Sequence, residues 1–335
     1  MDLRSRSFVV PLLAVILIAS VAVYRAYSSE TNSTPMIETV HGENPGGFLS
    51  RLSLLPMGKR KRELVSVMIE NHEEARLHHE GLEDALLIWE FPVEGFITRF
   101  NVLFDANDLP EQIGPVRSLR PYFLDALLPW APPQIHAGGS PEAFDRIAEI
   151  GTVFTINGLG FPDEFLRDED VPAPHNLFVA GDAVEKLIKE ATPKILRWPP
   201  YDTGAAQSGS GALKIKIDLL NPTNNITYAY DFFTQSYERT NGATVSRARP
   251  KNVLVLEIPV ADIGEFGRLD IPVLGKGDAL LFRNGTVERV TWRKNSENQW
   301  FTFETENGEP LVFAQGLTWV TVQPMLSRVT WKNSL

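Results

Sequence analysis

Hydrophobic and polar positions divide the chain into blocks. Phe8 to Tyr24 is a 17-residue run without a charge, preceded by Arg4 and Arg6. A membrane-spanning helix needs about 17–25 apolar residues, and basic residues ahead of it favour a cytoplasmic N-terminus. The pattern predicts a cytoplasmic n-region at 1–7 and a signal anchor at 8–24, with the rest of the chain exported. A cleaved signal peptide with its exit at Ser20-Val21-Ala22 is the alternative. Residues 25–62 read as a flexible linker, rich in Ser, Thr, Asn, Pro and Gly and ending in Lys59-Arg60-Lys61-Arg62.

From 63 to 195 strand-like and helix-like periods alternate, which predicts an α/β domain. Leu64 to Ile69 is β-branched and extended in character, and Ile97 to Phe104 alternates with period two. Gln134 to Ala137 is a short strand running into Gly138-Gly139. Ser140 and Pro141 supply an N-cap and a first-turn proline for a helix over Glu142 to Ile150. Helices are also expected at Val116–Leu128 and Asp182–Ala191. The Pro- and Gly-rich stretch Thr192 to Gly211 is the expected boundary, open to limited proteolysis. Residues 212–329 predict a mostly antiparallel β domain, because Asn-Gly, the strongest hairpin signal, occurs at 241–242, 284–285 and 307–308.

Composition narrows the function. With 42 acidic against 32 basic residues the net charge is −10, which argues against a nucleic-acid partner. The absence of cysteine excludes disulfides, thiolate catalysis, Cys-ligated zinc and a lipid-modified cysteine. The six histidines form neither an H-E-x-x-H nor an H-x-x-x-H pair, so no metal site and no cofactor are expected. His78 and His79 read as surface residues.

Polar residues cluster beside Gly and Pro, where loops present side chains. The candidate ligand-binding set is Asn71, Glu94, Thr98, Arg99, Arg117, Ser118, Arg120, His136, Ser140, His175 and Asn176. Arg117 and Arg120, three apart on the expected helix, would share a face and suit a phosphate or carboxylate, or else pair with acidic residues. His136, at a strand–loop–helix junction, is a candidate acid or base. Ser140 is explained more simply as a helix cap than as a nucleophile.

Several of these segments resemble the YerB-like family, a bacterial domain of unknown function (3048) with a matching C-terminal domain. The carrying motifs are Ile113-Gly114-Pro115-Val116-Arg117-Ser118-Leu119-Arg120-Pro121-Tyr122-Phe123, His136-Ala137-Gly138-Gly139-Ser140 and Ala173-Pro174-His175-Asn176-Leu177. Gly95 to Phe100 also fits, with Phe96 where the family usually has Gly, and Gly316-Leu317-Thr318-Trp319 resembles the closing motif. The resemblance implies a lipoprotein or anchored surface protein. The lipobox cysteine is missing here, so the N-terminal helix must do the anchoring. No reaction is implied. The expected role is a single-pass extracytoplasmic protein binding an anionic or glycan-type envelope ligand. The alternatives are a hydrolase or transferase acting on wall polymer or a phosphorylated precursor, and a structural partner of another envelope protein.

Overall fold

The run from Arg60 to Glu70 is one strand, β1, whose last seven residues are all buried. The computed structural model that shows this describes residues 60–191, 195–204, 209–264 and 266–334. The expected anchor at 8–24 and the linker up to residue 59 lie outside these. None of the helices among the described residues is long and apolar enough to cross a membrane. Arg60, Lys61 and Arg62, expected to close the linker, instead pair as strand with Ile195–Trp198. Arg62 also forms an ion pair with Asp105.

After β1 come β2 (Leu87–Pro92), β3 (Thr98–Asp105), helix α1 (Pro121–Leu127), β4 (Gln134–His136), α2 (Pro141–Ile150) and β5 (Thr155–Asn157). Next are α3 (Gly181–Leu187), β6 (Ile195–Trp198), β7 (Ser210–Gly211), β8 (Lys214–Ile217), β9 (Ile226–Asp231) and β10 (Ser236–Asn241). The last are β11 (Asn252–Glu257), β12 (Gly275–Arg283), β13 (Thr286–Lys294), β14 (Thr302–Thr305), β15 (Thr318–Gln323) and β16 (Val329–Lys332). A 12-stranded sheet runs β7-β13-β12-β11-β15-β2-β3-β1-β4-β5, with β14 beside β13 and β6 beside β1. A second, five-stranded sheet orders Thr244–Val245, β10, β9, β8 and β16. Strand dominates, and the three α-helices among the described residues are short.

The expected boundary at Thr192–Gly211 therefore does not separate two sheets. β2 pairs in parallel with β15, Leu87 opposite Thr318 through Glu90 opposite Thr321, so one ladder joins the two sequence segments. Within the expected boundary, β6 and β7 are themselves sheet strands.

Alternate residues of these strands bury in different cores. Leu87, Trp89 and Phe91 lie in one cluster, while Ile88 lies in another with Val65, Val67 and Ile69. Both faces of the central strands are covered, which is why they read as near-continuous apolar runs. Val253 and Val255 of β11 face the second sheet, meeting Ile215, Tyr228 and Tyr237.

Local signals succeed where the backbone geometry is self-contained. Ser140 Oγ accepts from Ala143 N–H at 3.2 Å and caps α2. Asn284 and Gly285 take φ of +51° and +72° between β12 and β13, as a two-residue hairpin of this twist requires. The helix expected from Val116 instead starts at Pro121. Proline disfavours helical backbone in the residue before it, and Arg120 is extended at φ −131°, ψ 154°. Residues 116–119 spend their backbone bonds on neighbours: Arg117 N–H to Met68 O at 2.9 Å, and Leu119 N–H to Gly138 O at 3.1 Å. Phe96, at the position where glycine is usual in the resembling family, has a left-handed φ of +54°.

Candidate functional site

The eleven candidate residues do not converge on one pocket; they divide among clusters. Asn71 and Thr98 enter a buried network centred on Glu90, which is fully buried. Asn71 Nδ2 donates to Thr98 Oγ1 at 2.6 Å and to Asn241 Oδ1 at 2.8 Å. Glu90 accepts from Thr98 Oγ1 at 2.8 Å, Arg239 Nη2 at 2.8 Å and Trp319 Nε1 at 2.7 Å. The Arg239 guanidinium also sits 4.4 Å from the Trp319 ring centroid. This network stitches β2, β3, β10 and β15 together. The candidate list held Asn71 and Thr98 but missed Glu90, Arg239 and Trp319, which come from segments far apart in sequence.

The two arginines expected to share an anion face do not. Arg120 is held by Glu94 through a bidentate pair at 2.5 and 2.7 Å. Arg117 Nε lies 3.0 Å from Glu70 Oε1 on a different carboxylate. Because residues 117–120 are not helical, the three-residue spacing no longer aims both heads at one point. Each guanidinium has a carboxylate partner, so the double-arginine anion site is not formed. Arg99, also buried, donates to the Ser118 carbonyl at 2.8 Å. Burial, and then the nearby Arg120 charge, push its pKa down to about 10. Burial works to raise the Glu94 carboxyl, but the Arg120 and Arg99 guanidinium groups outweigh it and hold Glu94 below its usual range.

At the β4–α2 junction, Ser118 Oγ donates to Ala137 O at 2.9 Å. His136 Nδ1 donates to Gly138 O at 2.7 Å, and its Nε2 is buried without a partner. Burial lowers its pKa. At 1% exposure, His136 is sealed from solvent. Ser140, as above, is the helix cap.

A further polar cluster lies where the loop after β1 meets the 172–176 loop. His175 Nδ1 is 2.9 Å from Glu70 Oε2, and its Nε2 is 2.9 Å from Glu74 Oε2. His72 stacks on the same ring, with centroids 4.8 Å apart and planes 12° from parallel. Glu70 is thus shared between His175 and Arg117, with its side chain only 3% exposed, whereas that of Glu74 is 63% exposed. Ligand atoms of His72, Glu74 and His175 lie within 4.8 Å of one another, a donor group the histidine spacing alone did not disclose. Asn176 supports this loop, donating to Asp168 O at 3.1 Å and accepting from Arg167 Nη1 at 2.8 Å. Half-buried rather than on the surface, His79 meets Glu70 O through Nε2 at 2.6 Å. A separate cavity of about 530 Å³ is lined by Glu80, Gly81, Pro110, Gln112, Leu166 and Phe178, and by none of the eleven candidates.

A β-rich protein in which two sequence segments share one sheet, with polar clusters wired into its loop junctions, is the class that these observations define. The chain belongs to the family described as "Protein of unknown function (DUF3048)": the N-terminal domain matches residues 54–194 and the C-terminal domain residues 215–320. It is 29% identical over 283 residues to "Putative lipoprotein YerB" of Bacillus subtilis (strain 168), covering 79% of this chain and 82% of that protein. The crystal structure of the YerB protein from Bacillus subtilis superposes with a TM-score of 0.72 at 28% identity, covering 81% of this chain and 94% of that one.

Proposed function

We propose that this chain is a membrane-tethered, extracytoplasmic binding module of the cell envelope, which recognises a glycan-type ligand at the face formed by His72, Glu74, Arg117 and His175. The uncharged 17-residue run behind Arg4 and Arg6 supports the tether, as does the relative's description as a lipoprotein. The observation that carries the reading is the division of labour among the polar residues. Glu90 and Arg99 are buried and Glu94 and Arg120 are locked in a bidentate pair, while Glu74 and His72, with side chains 63% and 34% exposed, present polar atoms to solvent beside the partly exposed Arg117. Planar polar side chains of this kind suit hydroxyl-rich ligands, and Glu70 already offsets the Arg117 charge, which disfavours a free anion. An enzymatic reading through His136 has less support, since a ring 1% exposed cannot reach a substrate from solvent.

Co-sedimentation of the intact, detergent-solubilised chain with insoluble wall polymer tests this. The expected result is binding that weakens at least tenfold on His175→Ala. Release of soluble sugar fragments would establish a hydrolase instead. No sedimentation at all would remove the reading and leave a structural partner of another envelope protein.

A further inference from the structure

We propose that His72, Glu74 and His175 bind a divalent cation of the zinc class, with Glu70 and Arg117 as the positioning pair behind His175. Two imidazoles and a carboxylate are a donor set that zinc accepts, with an open position left for water or a ligand. The donor atoms lie within 4.8 Å of one another. His175 Nε2 and Glu74 Oε2, at 2.9 Å, are already as close as two ligands of one ion. His72 Nδ1 is 3.9 Å from the same Glu74 oxygen, so its ring must draw in by about an ångström to reach zinc–nitrogen distances of about 2.0–2.1 Å. Both His72 and Glu74 belong to a short surface loop, and their side chains are 34% and 63% exposed, which leaves room for that movement.

The second observation is the arrangement behind the ring. Glu70 is buried and faces His175 Nδ1 at 2.9 Å. A metal-bound histidine commonly donates its other N–H to a carboxylate, which fixes the tautomer and raises the basicity of the ligating nitrogen. With Glu70 at Nδ1, the other ring nitrogen, Nε2, faces the Glu74 carboxylate at 2.9 Å, so the two potential ligand atoms converge on one side of the ring. The His72 ring lies stacked on His175 with its Nδ1 accepting from Glu74 N–H at 3.4 Å, so it must turn out of the stack to place Nδ1 as the third donor. The inference rests on the binding-module reading only in that the open coordination position would hold the envelope ligand.

The test uses the intact chain without an affinity tag, stripped with chelator and titrated with Zn²⁺ alone against a chromogenic competitor. One equivalent is expected to bind, with a rise in melting temperature at saturation. His72→Ala and His175→Ala should each abolish that equivalent, while His78→Ala leaves it unchanged. Glu70→Gln should weaken zinc about 10–100-fold and shift the visible bands of the Co²⁺-loaded chain. Because Glu70 is buried, the decisive variant is His72→Ala, whose half-exposed ring can be removed with little effect on folding. No stoichiometric binding at micromolar zinc, or binding unchanged in His72→Ala, overturns the site. Since no wall polymer is present, zinc binding without glycan binding defeats only the binding-module reading, and glycan binding without zinc defeats only this inference.

Discussion

Removing Arg239 tests whether the two sequence segments fold as one sheet. Arg239→Met deletes the guanidinium that pairs with Glu90 at 2.8 Å, with side chains 3% and 0% exposed. Glu90 then keeps Trp319 Nε1 and Thr98 Oγ1 at 2.7 and 2.8 Å, but both are neutral donors. Breaking a buried pair by removing one partner costs about 3–5 kcal/mol, because the remaining charge stays buried. Loss of the cation over the Trp319 ring, 4.4 Å away, adds about 0.5–2 kcal/mol. Against a total stability of about 5–15 kcal/mol, the variant should lose roughly a quarter or more. Equilibrium urea unfolding read by tryptophan fluorescence and far-ultraviolet circular dichroism measures it, and the two probes should coincide. Glu90→Gln in the Arg239→Met background should cost less than in the wild type, since it removes the stranded charge. A loss below about 1 kcal/mol, or two well-separated transitions, would refute the reasoning.

Three further outcomes follow from local geometry. Ser140→Ala removes the cap of α2 and should cost about 1 kcal/mol in the same unfolding assay. Gly285→Ala should cost about 1–2 kcal/mol and lower the melting temperature, because φ is +72° and a new Cβ would meet Leu213 and Tyr230 at 3.0 and 3.1 Å. Burial lowers the His79 pKa to about 4, so below pH 6.5 the unfolded chain binds a proton that the folded chain resists. Stability should therefore fall as pH drops from 6.5 toward 4, by up to about 3 kcal/mol from this residue, and His79→Leu should flatten the slope.

What the sequence discloses about the fold depends on how local the cause is. The Ser140 cap and the Asn284-Gly285 turn are settled within a few residues, and both are legible. The period-two pattern around β3 is legible too, but not its meaning: seven of its eight residues are buried because both faces of the sheet are covered. The helix start at Pro121 was also readable in principle, from the proline that keeps Arg120 extended. The parallel pairing of β2 with β15 was not, because it joins residues more than 200 positions apart through backbone bonds that carry no side-chain signature. The Pro- and Gly-rich stretch between Thr192 and Gly211, where the N- and C-terminal family domains meet in sequence, lies between segments that share one sheet.

The site follows the same logic with a sharper consequence. Polar residues beside Gly and Pro suggest ligand chemistry because loops are where ligands bind, yet loop junctions are also where buried backbone and charge must be satisfied. Arg120 and Glu94 show the ambiguity: each alone could serve a ligand, and together they neutralise each other at 2.5 Å. Glu70 is the case that the sequence could not decide. At the buried end of β1 it faces Arg117 on one oxygen and His175 on the other, from segments about 50 and 100 positions downstream. A carboxylate so placed cannot serve a ligand directly, but it faces Nδ1 of the imidazole that lies nearer the exposed Glu74. The proposed site therefore moves from the arginine motif to the cluster in front of Glu70, His72, Glu74 and His175, two of which lie outside the candidate set.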